Sequence, residues 1–293
     1  GIGYIARLDD PDQDIDYTYY VTAHEVTHQW WGHQVMEASV KGNAMLSESM
    51  SQYSALMVMK HAFSPENIER YLKYELDSYL SGRTAERKKE QPLELVEGQG
   101  YIHYRKASLV FFALQDYIGE DSVNAAFRRF NQEWRFTEAP YPTSADLLKH
   151  IRAVTPDSLQ SIIHDMFETI TLFENKADDA YFIQRDSATF EVTLKVSAEK
   201  LRADSTGMET PIPIRDWIDI GIYGKDEKGK DKLIYLKKHL ITQKENTYKI
   251  MVKEPPRKAG IDPLHKLIDR HSSDNTKSLV KKVKEEADLS EVL

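Results

Sequence analysis

His24 and His28 stand four residues apart, with Glu25 directly after the first, in the run His24-Glu25-Val26-Thr27-His28. On a helix, residues four apart share a face about one turn up. Both imidazoles can therefore reach one zinc ion at about 2.0–2.1 Å. Glu25 lies on the adjoining face, where its carboxylate addresses a metal-held water rather than the metal. Zinc lowers the pKa of such a water, and a carboxylate can take its proton as it attacks a carbonyl carbon. The pattern arises by chance in about one chain in a hundred of this length. Here it falls in a stretch, Tyr17 to Val35, that has no helix breaker before Gly32.

A catalytic zinc needs a third protein ligand and one open position. Cysteine is absent, which excludes disulfides and thiolate ligands, so the metal must be held by histidine and carboxylate. Glu48 stands after His28 with 19 intervening residues, early in the next predicted helix. A helix, a turn and a returning helix would bring its carboxylate beside the histidine pair, a spacing that glutamate-ligated zinc peptidases use. Glu37 is too close in sequence to fold back. A third histidine six residues after His28 is ruled out, because that position is Gln34 and the glycine expected three residues on is Trp31. His33 reads as a structural or surface histidine, as do His61, His103 and His150. Gln52, one turn beyond Glu48, reads as core or surface rather than as a support for a ligand histidine. Trp30 and Trp31 are expected to anchor the zinc helix in the core.

These residues need elements to hold them. The first part of the chain reads as helix after helix: Asn43 to Ala62, with Leu46, Met50, Tyr53, Leu56 and Met57 at helical spacing, then a helix from the capping signal Ser64-Pro65-Glu66 to about Leu80, ended by Gly82. Residues 83–100 are polar, with Pro92, Gly98 and Gly100, and predict a long loop of the kind that often carries function. Tyr101 to Ile118 is helical up to Gly119, and two more helices come after it, the second opening at Thr155-Pro156-Asp157. After about Asn175 the period becomes 2. Phe190, Val192, Leu194 and Val196 alternate with Glu191, Thr193, Lys195 and Ser197, which predicts one buried and one wet face. Further strands are expected near Ile212–Ile222, Leu233–Leu236 and Tyr248–Val252, with Gly224 to Asp231 as a polar turn. The expected fold class is α+β: a mainly helical catalytic domain at 1–175, a small antiparallel β-sandwich at 176–270, and a polar tail, partly helical or disordered, at 271–293.

Composition bounds the function. Of the 293 residues, 41% are hydrophobic and 29% charged, as in a soluble globular protein. Runs such as Leu109 to Leu114 are too short to cross a bilayer. A net charge of −8 argues against a nucleic-acid partner. The basic run Arg87-Lys88-Lys89, and Lys281-Lys282 with Lys284, read as solvated surface.

At His24-Glu25-Val26-Thr27-His28-Gln29-Trp30-Trp31-Gly32 the sequence resembles the membrane alanyl aminopeptidase family of gluzincins, whose members show HExxHQWFG there. Tyr104-Arg105-Lys106-Ala107-Ser108 resembles the family's Y-x-K-G segment. The resemblance implies a thermolysin-like catalytic domain over roughly residues 1–175, the small β-sandwich after it, one zinc ion, a peptide substrate, and Tyr104 as hydrogen-bond donor to the oxyanion of the tetrahedral intermediate. A phenol aimed at developing negative charge is a plausible oxyanion stabiliser on physical grounds. Three departures stand out. The glutamate spacing is one residue longer than the family's usual 18, and matches thermolysin. Ala107 replaces a glycine. The family's GxMEN segment, which holds the substrate's free amino group, would precede residue 1, since Gly1-Ile2-Gly3-Tyr4-Ile5-Ala6 resembles the stretch on its C-terminal side. The chain therefore resembles a fragment of a larger protein, most like the peptidase region of bacterial permease-fused members. The parent would then be membrane-associated, while the fragment itself makes no membrane contact.

Three readings arise: a zinc aminopeptidase with Glu25 as general base, a thermolysin-like endopeptidase, and a non-catalytic peptidase-derived binding or regulatory module. The Gln-Trp-Trp-Gly continuation and the tyrosine motif favour the first, and the 19-residue spacing supports the second. Decayed enzymes usually lose a ligand or the base, and here His24, His28, Glu48 and Glu25 are all present.

Overall fold

The computed structural model describes residues 16–283. Gly1 to Ala6 and residues 284–293 of the polar tail lie outside them. The chain divides into two compact units: residues up to 171 with 203–209 and 266–268, and the remainder.

The first unit is helical. It comprises α1 (Tyr17–Thr27), a π-helical turn (Met45–Ser49) running into α2 (Met50–Ala62), α3 (Pro65–Ala85), a second π-helical turn (Tyr101–Lys106) running into α4 (Ala107–Ile118), α5 (Glu120–Trp134), α6 (Ser144–Val154) and the short α7 (Gln160–Ile163), which runs into a third π-helical turn (His164–Glu168) away from the metal-site residues. Local chemistry sets most of these starts and stops. Asp16 caps α1 by accepting from the backbone N–H of Tyr19 at 2.9 Å. Ser64 caps α3, with Pro65 in its first turn. Thr143 and Asp146 form a reciprocal capping box on α6. Gly119 ends α4 at φ +86°, a conformation that costs glycine little. The core is aromatic: Phe111, fully buried, packs edge-on against Phe127 and Phe167 at centroid distances of 5.7 and 5.2 Å.

The second unit holds two sheets. One has strand order β3-β2-β1-β9, with β6 also pairing β2, and the other has order β5-β4-β7-β8. The strands are β1 (Ile170–Gln184), β2 (Phe190–Ala203), β3 (Glu209–Ile212), β4 (Asp216–Lys225), β5 (Asp231–Ile241), β6 (Glu245–Val252), β7 (Lys258–Ile261), β8 (Thr276–Ser278) and β9 (Val280–Lys281). On β2, Val192, Leu194 and Val196 are buried, and Val192 faces Ile250 of antiparallel β6. The whole is a mixed helix-and-sheet chain.

Five expectations change. The helix expected from Tyr17 onward stops at Thr27, because the chain turns back at Gly32 (φ +97°) and Val35 donates its N–H to Trp30. Gly82 does not end its helix: α3 runs on to Ala85, and a Cβ at Gly82 would lie 2.4 Å from Tyr101, so close packing explains the glycine. Three helical segments, not two, come after Gly119, since α6 precedes the turn at Pro156. Thr193, expected in water, is buried. The segment from 271, expected as a partly helical or disordered tail, has a short 3-10 helical turn at Ser272–Asp274 and then two short strands, β8 antiparallel to β7 and β9 parallel to β1.

Candidate metal centre

The last turn of α1 carries His24 and Glu25, and His28 is its C-cap residue, still in helical conformation (φ −59°, ψ −18°). The i, i+4 relation therefore survives the early end of the helix, and the two Nε2 atoms lie 3.1 Å apart. The turn after the helix fixes one ring. Nδ1 of His28 lies 3.0 Å from the carbonyl oxygen of Trp31, which can only accept, so Nδ1 carries the proton and the Nε2 lone pair faces His24 and Glu48. The Ser51 hydroxyl reaches the same Nδ1 at 3.2 Å. Thr27 ties the two helices together, donating to the carbonyl of His24 at 2.8 Å and to that of Ser51 at 3.3 Å.

Glu48 arrives from the first π-helical turn. Its Oε2 lies 3.3 Å from Nε2 of His24 and 3.7 Å from Nε2 of His28. Among the described residues, His24, His28 and Glu48 form the one group of three such side chains whose ligand atoms converge. Tetrahedral bonds of 2.0–2.1 Å to a common centre require donor separations of about 3.3 Å, and the three observed separations bracket that value. Two imidazole nitrogens and a carboxylate oxygen are also the donor types that zinc takes. The residues fit the ion. The hydrogen bond from His24 holds the Glu48 carboxyl down at about 2, helped by Tyr104 and His28 against the opposing effect of burial. Nδ1 of His24 is buried without a partner among the described residues.

Glu25 is exposed, on the solvent wall of the site. Tyr104 comes from the second π-helical turn, and its ring lies edge-on to that of His24 at 5.8 Å. Burial, then the adjacent Glu48 carboxylate, push its hydroxyl up to about 12, with a smaller contribution from Glu25. Tyr104 stays protonated, and hence a donor, across the physiological range. A groove of about 670 Å³ opens beside it, lined among others by Tyr74, Ser78, Gly100, Tyr101 and Arg105.

Trp31 is buried, with its indole N–H on Ser54 at 3.2 Å, whereas Trp30, expected in the core as well, is 44% exposed. Gln52 is buried in α2. His33 is exposed, and His61 and His150 pair with Glu120 and Glu133 at 3.1 and 2.9 Å. His103 differs from these. It is buried, its ring packs edge-on against Tyr104 at 4.3 Å, and burial lowers its pKa. Sequence reasoning left it without a distinct role, as it left Ser49 and Ser51. Proximity to the Tyr104 motif was the available signal for His103.

Residues 7–168 match the peptidase family M1 domain, a span that includes His24, Glu25, His28, Glu48 and Tyr104. The chain belongs to peptidase family M1. The chain is 25% identical over 154 residues to "Probable aminopeptidase 1" of Saccharolobus solfataricus, a match covering 50% of this chain and 19% of that protein. The matched region thus spans about a fifth of that relative's length. A solved M1 zinc metallopeptidase from Deinococcus radiodurans, crystallised as a point mutant with a Tyr-Ser-Ala substrate, superposes with a TM-score of 0.40 at 16% identity, covering 50% of this chain and 32% of that one. Membership of this metallopeptidase family agrees with the donor set found here. Among the described residues no helix is long and apolar enough to cross a membrane.

Proposed function

We propose that this chain is the catalytic region of a zinc-dependent peptide hydrolase of aminopeptidase type. In this reading one zinc ion is held by His24, His28 and Glu48, Glu25 is the general base and Tyr104 is the oxyanion donor. The observation that carries it is the convergence of the two Nε2 atoms and Oε2 at separations of 3.1, 3.3 and 3.7 Å, with Tyr104 beside them. Zinc bound there would supply Lewis acidity toward a water and toward the scissile carbonyl. Glu25 takes the proton of the attacking water at its carboxylate and passes it on to the leaving amine. Tyr104 keeps its phenolic proton and directs it at the charge that develops on the carbonyl oxygen. Trp31 and Ser51 hold the His28 ring so that its Nε2 stays available. The groove beside Tyr104 gives part of a peptide a place to lie.

The aminopeptidase assignment is supported by family membership, by the aminopeptidase relative and by the Gln29-Trp30-Trp31-Gly32 continuation. The 19-residue spacing between His28 and Glu48 supports an endopeptidase instead. The zinc-loaded chain is to be assayed on aminoacyl-anilides and on internally quenched, amino-blocked peptides. Cleavage of the former alone is the expected result. Cleavage of the blocked peptides alone would reassign it as an endopeptidase, and stoichiometric zinc without either activity would favour a binding module. We further read the domain as the membrane alanyl aminopeptidase type with the longer glutamate spacing. Its parent would be a bacterial membrane-associated protein, its catalytic domain thermolysin-like and its two sheets a β-sandwich.

A further inference from the structure

Serines inside helices usually turn their hydroxyls back onto the carbonyl one turn before. Ser54 does so with Met50 at 2.7 Å and Ser108 with Tyr104 at 3.1 Å. Ser49 does not. Its hydroxyl donates at 2.8 Å to the carbonyl of His103, 54 residues away. Ser49 is fully buried, so it touches neither solvent nor a substrate. Its place in the sequence gives the bond its interest. Ser49 directly succeeds Glu48 in one π-helical turn, and His103 directly precedes Tyr104 in the other. π-helical turns re-aim side chains and recur at functional sites. Both such turns of the metal centre are thus joined by one buried hydrogen bond, one residue away from each functional side chain. The neighbouring His103 ring, packed against the Tyr104 ring, closes the same corner.

We infer that Ser49 is a positioning residue: its bond to the His103 carbonyl locks the turn carrying Glu48 to the turn carrying Tyr104, and so sets the distance between carboxylate and phenol. This rests on the catalytic reading given above for Tyr104. The bond is made by the Ser49 hydroxyl and the His103 carbonyl and by no side chain of the proposed ligand set, so zinc is expected to stay bound when it is lost. Its effect belongs to the step in which the phenol meets developing charge, and hence to kcat rather than KM.

The test uses the full zinc-loaded chain carrying Ser49→Ala, Ser49→Thr, Tyr104→Phe and the Ser49→Ala/Tyr104→Phe double variant. A misplacement of about 1 Å can cost up to roughly a hundredfold in rate. Ser49→Ala should keep stoichiometric zinc and KM within about twofold and lose about ten- to a hundredfold in kcat, and Ser49→Thr, which keeps the hydroxyl, should recover most of it. In the Tyr104→Phe background the same Ser49→Ala change should alter kcat by less than about twofold, because the group it positions is gone. An equal loss in both backgrounds, or an unchanged kcat in Ser49→Ala, would overturn the proposal. Crystal structures of the wild type and Ser49→Ala separate this from the catalytic reading. If the wild type hydrolyses nothing, that reading fails, while a Tyr104 hydroxyl shifted relative to Glu48 in Ser49→Ala still upholds the lock and an unmoved one removes it. Should Ser49→Ala not fold, Ser49→Cys, a weaker donor of similar size, is read by the same criteria.

Discussion

Glu25 and Glu48 are both carboxylates near the same histidines, yet their surroundings separate them. Glu48 is half-buried and held ionised by His24, as its proposed role at the metal requires, while Glu25 stands in solvent. Replacing Glu25 with Gln should keep zinc by elemental analysis and lower kcat by about 10²–10⁴, and an unchanged rate would remove it as the base. Replacing Glu48 with Ala should instead lower zinc content, and stoichiometric metal in that variant would take Glu48 out of the ligand set. Tyr104→Phe should lower kcat by about 10²–10³ with zinc and fold intact, as loss of one oxyanion donor does. These residues differ in how far the sequence revealed them. His24, Glu25 and His28 could be read from helix geometry, because four residues in one helix fix their own relation. Glu48 needed only one further turn and its spacing. Tyr104, more than fifty residues on, was reached by resemblance alone. Ser49 and His103 were not reached, because their meaning lies in a contact between segments that no periodicity records.

At the scale of elements, the sequence showed where helices lie better than how they end or swell. A π-helical turn of five or six residues inside a helical run leaves the hydrophobic pattern almost unchanged, so neither Met45–Ser49 nor Tyr101–Lys106 could be seen in advance. Glycines were read as stops, yet Gly82 serves close packing and Gly32 a left-handed turn. Gly32 has room for a methyl group, with His28 Nδ1 at 3.8 Å and the Ser47 Cβ at 3.6 Å, so the penalty of Gly32→Ala lies in the backbone. It should cost about 1–2 kcal/mol and weaken zinc binding, since the turn it shapes presents the Trp31 carbonyl to His28. Thermal melts with and without zinc would show both effects, and an unchanged zinc-dependent shift would separate turn from site. On α3, Glu75 is fully buried against Arg105 at 3.0 Å, and burial raises its pKa to about 7 despite that cation. Its folded value exceeds the unfolded one, so the folded state binds the proton more tightly. Stability from this group is then full below about pH 4.5 and declines as pH rises toward 7, by an amount of order 3 kcal/mol. Glu75→Gln should flatten the melting temperature over that interval, and an unaltered slope would discount the shift.

For the molecule as a whole, the change from period 3.6 to period 2 near Asn175 announced the passage from helices to sheets, and the first strand begins at Ile170, although 203–209 and 266–268 return to the helical unit. What sequence reading missed was the end. β8 and β9 span only three and two residues, too few for any alternation to mark them. The proposed ligands come from α1, its C-cap and the turn before α2, so zinc held there would be tied to the folded state of the first unit. Saturating zinc should raise its melting temperature by several degrees, since a ligand at a thousand times its Kd contributes about 4 kcal/mol. The transition of the second unit should stay where it is, and a uniform shift of both would show the units melting together.

The five residues of β8 and β9 have a consequence for any attempt to shorten this protein. They occupy the outer edges beside β7 and β1, one in each sheet. A chain cut at residue 270 would uncover two rows of unpaired amides and carbonyls, which are templates for pairing with other copies. Such a truncation is expected to keep the metal centre yet elute as oligomers on size-exclusion chromatography, where the full chain does not. Those closing strands guard the protein against itself.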